Sequence, residues 1–151
     1  MNAPDLLTRN RVILTHFDSY STALLFPRWD NKSLLWPQAL PVSSAPMPPP
    51  VDVGPANAGI AILKAVVQQC GFNPDELVHV SDFDHWAQTE LGPVRIHLLR
   101  FTTPDAPKAA IEALGGEFKP ISQLRGSAMN ELLLLREVFN LIVGAGGGRG
   151  C

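Results

Sequence analysis

The stretch richest in chemical possibility is residues 56–72, ANAGIAILKAVVQQCGF. Its apolar residues recur at helical spacing, with Ile60, Leu63, Val67 and Cys70 forming one stripe. Gly71 follows the last periodic position, where a left-handed cap favours glycine, and Asn73-Pro74 keeps the helix from continuing. Positions 65, 68 and 69 stand at i, i+3 and i+4, so they share one face of the helix. Side chains at that spacing can converge on a ligand or a metal. Here the face offers Ala65, Gln68 and Gln69, with no charge among them.

A second group is SDFDHW, with Asp82, Asp84 and His85. On a strand the two carboxylates share a face and His85 points the other way, so the run reads first as a solvated strand face. His16, His79 and His97 sit singly on expected strands and read as hydrogen-bonded sheet residues rather than ligands. Ser43, Ser44 and Ser127 carry no nucleophile signature, and no phosphate-binding loop or Cys-x-x-Cys pair occurs. The glycines of residues 144–151, GAGGGRGC, precede no helix and form no phosphate cradle.

The elements that must position these groups follow from residue type. Residues 11–17, RVILTHF, read as a strand. Asp18-Ser19 turns the chain, and residues 22–26, TALLF, return antiparallel until Pro27 ends them. Leu34-Leu35-Trp36 is an edge or irregular piece that Pro37 interrupts. Residues 41–55, PVSSAPMPPPVDVGP, read as a stiff loop with polyproline character at Pro48-Pro49-Pro50. After the helix, residues 77–91 run as one strand to a turn at Gly92-Pro93. Residues 94–101, VRIHLLRF, return as its hairpin partner. A short helix at 106–114 ends at Gly115-Gly116, and a short strand lies within 118–124. Ser127 caps a last helix, 128–143, whose Met129, Leu132, Leu133, Val138, Phe139 and Ile142 face the core. The layout is α+β, a mixed sheet between helices.

Composition narrows the classes. The chain has 151 residues, 46% apolar and 17% charged, enough for one domain with a real core. A net charge of −2 and a pI near 6.0 leave no basic footprint for nucleic acid. Two cysteines, Cys70 and Cys151, make no disulfide framework and fit a reducing, cytoplasmic setting. The first residues lack the basic start and apolar run of a signal peptide. No run is long and apolar enough to span a bilayer. Residues 1–9 read as an N-terminal extension, 10–143 as a single domain and 144–151 as a flexible Gly-rich tail.

The order of elements, with certain residues, resembles the Nudix hydrolase superfamily over residues 10–143. Val12 to Phe17 followed by Ala23-Leu24-Leu25-Phe26-Pro27-Arg28 looks like its opening hairpin, which often ends in arginine. Leu35-Trp36 with Leu40-Pro41 looks like the W-x-L-P segment before the Nudix box. Residues 62–77, ILKAVVQQCGFNPDEL, look like the box helix and its exit. His85-Trp86 with residues 94–101, and then 117–125, EFKPISQLR, are similar to the hairpin and the run before the last helix. Anchored on Gly71-Phe72, the family's box places Lys64 at the arginine, Val66 at the apolar position, and Ala65, Gln68 and Gln69 at the three helix glutamates. Ala56 stands at the earlier glutamate and Pro50 at the first glycine.

The resemblance implies a Nudix-like mixed sheet sandwiched between helices and argues against the family's usual reaction. Family members hydrolyse a diphosphate linkage with Mg²⁺ held by those glutamates. Mg²⁺ needs anionic oxygen ligands to compete with its water shell, and glutamine and alanine supply none. The expectation is therefore a degenerate Nudix box with no catalytic set, no metal and no cofactor. The role is ligand binding, regulation or protein contact, with a homodimer expected. Ligand-binding candidates are Arg28 for phosphate pairing, Trp36 for base stacking and Lys64 as a phosphate point charge, with Gln68, Gln69 and Glu90 beside them. The expected partner is a nucleotide-like small molecule, with neither nucleic acid nor membrane involved. The alternative is a Mg²⁺-dependent pyrophosphohydrolase of nucleoside diphosphate derivatives whose relocated acids are Asp52 and Glu90.

Overall fold

The computed structural model describes residues 10–18, 23–29, 33–36, 39–40, 43–48, 59–80, 82–83, 85–90, 92–124 and 129–144. Its strands are β1 (Asn10–Asp18), β2 (Ala23–Trp29), β3 (Leu35–Trp36), β4 (Ala45–Met47), β5 (Leu77–His79), β6 (His85–Thr89), β7 (Gly92–Phe101) and β8 (Gly116–Pro120). Its α-helices are α1 (Gly59–Cys70), α2 (Lys108–Ala113) and α3 (Met129–Phe139), the last running on into a π turn at Asn140–Gly144. The strands form one mixed sheet in the order β4-β6-β7-β1-β2-β8. β3 pairs β1 beside β2, and β5 pairs β7 beside β6. Among the described residues the sole parallel pairing is the central one, with Asn10 opposite Arg95 and His16 opposite Phe101.

Alternation along these central strands builds two cores. Ile13 of β1, Leu24 and Phe26 of β2 and Val94, Ile96 and Leu98 of β7 point to one face and pack with Leu134, Leu135 and Val138 of α3. Val12, Leu14, Trp29, Leu99 and Phe101 point to the other and pack with Ile62 and Val66 of α1 and Ile111 of α2. Both faces of the sheet are thus covered, which is why β1 and β7 read as nearly continuous apolar runs.

The structure corrects several expectations. β2 runs through Pro27 to Trp29. β1 has parted from it by then, the pairing covering only Ala23 to Leu25, so at Pro27 the ladder partner is β8 alone and the absent N–H costs little. The Pro-rich stretch holds a strand, β4, with Pro46 opposite Ala87; as an edge strand it tolerates proline. The single strand expected over 77–91 is two strands, with Leu77 to His79 pairing Leu99 to Phe101 and His85 to Thr89 pairing Gly92 to Ile96. The turn between β6 and β7 lies at Glu90, and Gly92, at φ +111, already belongs to β7.

Both long helices turn only part of the expected stripe inward; in the last helix Val138 is buried, with Leu132 and Ile142 packed half-buried against the core. In α1 the buried residues are Ile62, Ala65 and Val66, whereas Ile60 is 69% exposed. Leu63, Val67 and Cys70 are half-buried. The helix is apolar nearly all round, so periodicity alone does not choose its inward face. In α3, Met129 (71%), Leu133 (46%) and Phe139 (40%) are exposed, and Glu131 is buried with Leu134, Leu135 and Val138. A run of four leucines gives the pattern too little contrast to set the phase. The glycine stop holds: Gly71 has φ +76 and donates its N–H to the Val67 carbonyl at 2.9 Å. Asn73 then caps the 3₁₀ turn Pro74–Glu76, its Oδ1 accepting from the Asp75 N–H. Pro50, Asp52, Ala56, Asp84 and Ser127 lie outside the described residues.

Candidate functional site

The polar groups of the α1 face gather where β1, β5 and β7 lie side by side beneath the start of α1. Asn10 and His97 are fully buried, His79 is half-buried, and Arg95 stands one pleat from His97. The Asn10 Oδ1 accepts from His97 Nε2 at 2.8 Å. A neutral His97 then presents a bare Nδ1, which accepts from His79 Nε2 at 3.2 Å. Donation therefore runs from His79 through His97 to Asn10 and leaves His79 Nδ1 as the lone-pair nitrogen. The ring edge that carries both nitrogens lies against the first residue of α1, for a Cβ on Gly59 would crowd Cε1, Nε2 and Nδ1 alike.

The environment keeps both rings neutral. Burial, aided by the Arg95 charge and by His79, pushes His97 down to about 3. Burial and then Arg95 also lower His79. The Arg95 guanidinium lies 5.8 Å from the Trp86 ring centroid, and Trp86 is its cross-strand partner. The chain of two neutral imidazoles and an amide can accept or pass a proton and can orient a polar group. Among the described residues no three His, Cys, Asp or Glu side chains gather to hold a metal ion.

The predicted site residues fall in separate places. Lys64, Gln68 and Gln69 are exposed on α1, while Ala65 is buried against the sheet, so the three family positions do not share one open face. Trp36 is opposite Val12 and packs, half-buried, against the cluster that also holds Ile62 and Val66 of α1. Arg28 lines an open cavity of about 590 Å³ with Trp29, Glu112, Glu117 and Lys119. Lys119 is 3.3 Å from Glu117, so the cavity carries two cations and two carboxylates, and a phosphate there would meet repulsion as well as attraction. Glu90 stands exposed in the β6–β7 turn. Asp82 is exposed in a turn, not on a strand, and His85 lies on the α3 side, 3.9 Å from Glu137.

Reading histidines one at a time missed the pairing of His79 with His97. They are eighteen positions apart, and only the antiparallel match of β5 to β7 brings them together. All three of His16, His79 and His97 are nonetheless hydrogen-bonded sheet residues as expected, His16 Nε2 donating to the Thr103 carbonyl at 2.8 Å. Glu131 was also missed. Its Oε2 accepts from the Ser33 hydroxyl at 2.5 Å and its Oε1 from the Leu34 N–H at 3.2 Å, while the Leu35 N–H donates to Ser33 Oγ at 3.0 Å. An acid three residues into a leucine-rich helix is the one signal that could have marked it. Beside α3, Leu40, Pro46, Ala87, Ile96, Leu133 and Leu134 line an apolar groove of about 240 Å³. No helix among the described residues is long and apolar enough to cross a membrane. No protein-family model matches the chain, and no curated protein matches it at a significant level.

Proposed function

We propose that this chain is a divergent Nudix-fold domain that binds a nucleotide-like small ligand and does not hydrolyse diphosphates by the family's metal route. The observation that carries the reading is the state of α1. The two family glutamate positions that face solvent are the neutral Gln68 and Gln69, and the third, Ala65, is buried. Neutral oxygens do not strip Mg²⁺ of its water. The sheet covered on both faces, with α1 crossing the β1–β7 pair, is compatible with the resemblance. Exposed Lys64 and half-buried Trp36 on the same side of the sheet supply a charge and a ring for a nucleotide.

The test is a thermal-shift panel of nucleoside diphosphate derivatives with Mg²⁺ or Mn²⁺, run alongside product analysis. The expected outcome is a raised Tm with at least one compound and no turnover, since a ligand that binds only the native state must stabilise it. Turnover abolished by Asp52→Ala or Glu90→Ala would overturn the proposal in favour of relocated metal ligands. No shift with any compound at high concentration would count against a binding role.

A further inference from the structure

Three features converge on the first turn of α1. Gly59 touches the His79 ring so closely that no larger residue fits without displacing it. The ring is fixed from behind by His97, which is fixed in turn by Asn10. The turn itself holds no acidic residue, so the positive end of the helix dipole rests on the histidine uncompensated by its own side chains. We infer that the His79–His97–Asn10 chain is an acid-sensitive latch, holding the start of α1 against the sheet at neutral pH and releasing it on acidification before the rest of the fold opens.

The direction follows from where a proton must go. His79 Nε2 already carries one, so a second enters at Nδ1, on the ring edge that Gly59 crowds. The resulting imidazolium faces three unfavourable neighbours: the Arg95 guanidinium, the positive helix end, and a His97 with which it cannot share a further charge. The other groups around it are neutral among the described residues. β1 contributes Asn10, its Arg11 pointing to the opposite face with Ile13. β6 contributes Trp86, and the first turn of α1 runs Gly59, Ile60, Ala61, Ile62, with Lys64 exposed beyond it. The charge that bears on the ring, Arg95, has the same sign as the new one, so relief comes from lifting the helix end away.

The linkage has a definite sign. Both folded-state values lie below the ordinary histidine value of 6.5, so the released state binds more protons than the latched one. The latch is at full strength above about pH 6.5 and weakens as the pH falls, by up to about tenfold per pH unit for each proton taken up. The described histidine contact of α3 is the pair His85–Glu137, 3.9 Å apart at the surface rather than beneath the helix, and α3 supplies the internal control.

Amide hydrogen exchange on the full chain at pH 7.5 and pH 5.0, corrected for the intrinsic rate, reads the latch directly. We expect protection at residues 60–64 to fall at least tenfold more than protection within α3. The variant His79→Gln keeps a polar side chain that cannot titrate and should abolish that difference. Parallel loss in α1 and α3, or an unchanged difference in His79→Gln, would overturn the inference. NMR titration of the His79 ring in the wild type adds an independent reading: a midpoint at or above 6.5 would also overturn it, and one below 6.5 supports it. Neither readout uses a ligand, so the latch stands or falls separately from the binding proposal.

Discussion

On one face of the sheet α3 is held by a buried carboxyl group and a broad apolar cluster; on the other, α1 rests on a histidine and a narrower seam. Glu131 receives a hydroxyl and a backbone N–H from the chain just before β3, and Leu134, Leu135 and Val138 of the same helix are buried around it. α1 buries Ile62, Ala65 and Val66 in the cluster of Val12 and Leu99, and its first residue, Gly59, sits on the His79 ring. The contacts of Glu131 end on backbone and hydroxyl donors that carry no charge. Those beneath α1 hold only while two imidazoles stay neutral. One helix is therefore anchored through a buried carboxyl group and the other through a pair of imidazoles, although they cover the same sheet. Hinged and responsive parts of proteins are drawn from the less secured end of such a scale.

The largest way to break the contrast is Glu131→Ala. It removes the acceptor of the Ser33 hydroxyl and of the Leu34 N–H and leaves a void beside α3. Two lost buried hydrogen bonds plus lost packing should cost about 3 kcal/mol. The check is the urea midpoint of unfolding at pH 7.5. Glu131→Gln retains one acceptor oxygen and should lose roughly half as much. A loss below about 1 kcal/mol for the alanine variant would mean that the apolar cluster alone secures α3.

Next in size is Gly59→Ala. In an exposed helix this exchange stabilises by about 1 kcal/mol. Here the new methyl group runs into the His79 ring, which cannot swing aside without leaving His97. The sign should reverse, to a loss of about 1–2 kcal/mol. Placed on a His79→Ala background, where the ring is gone, the same exchange should recover its usual stabilising sign. A stabilising Gly59→Ala in the wild type would show that the ring is free to move, and the two faces would then differ less than their contacts suggest.

How far the sequence shows these features depends on how local they are. The glycine stop after α1, the strand character of residues 11–17 and 94–101, and the apolar pairing of helices with a mixed sheet all follow from neighbouring residues, and the structure bears them out. The phase of α1 and α3 does not follow, because Ile60 and Leu133 are as apolar as the residues that do enter the core. The inward face is set by what the sheet presents. β4 was hidden by its proline, since an edge position cannot be recognised without knowing the sheet order. The histidine chain was hidden for the same reason. Each member looks ordinary on its own strand, and their meeting depends on β5 and β1 flanking β7 from opposite sides. The neutral character of Gln68 and Gln69, by contrast, is a matter of composition and was legible at once.

Those two glutamines give the smallest effect and sharpen the contrast from its outer side. Gln68 and Gln69 point to solvent and touch neither the latch nor the core. The double change Gln68→Glu, Gln69→Glu should alter stability by less than about 0.5 kcal/mol, since glutamate and glutamine have similar helix propensity and both sites are exposed. Ala65→Glu is different in kind, because it would bury a carboxylate against the sheet and cost well over 1 kcal/mol. Calorimetry should then find Mg²⁺ binding raised in the double variant, with the unfolding midpoint unmoved. A gain in Mg²⁺ affinity would show that this outer face of α1 can host a cation once it is charged. No gain would mean that the two positions do not converge on a common point, which would weaken the family register on which the binding proposal rests.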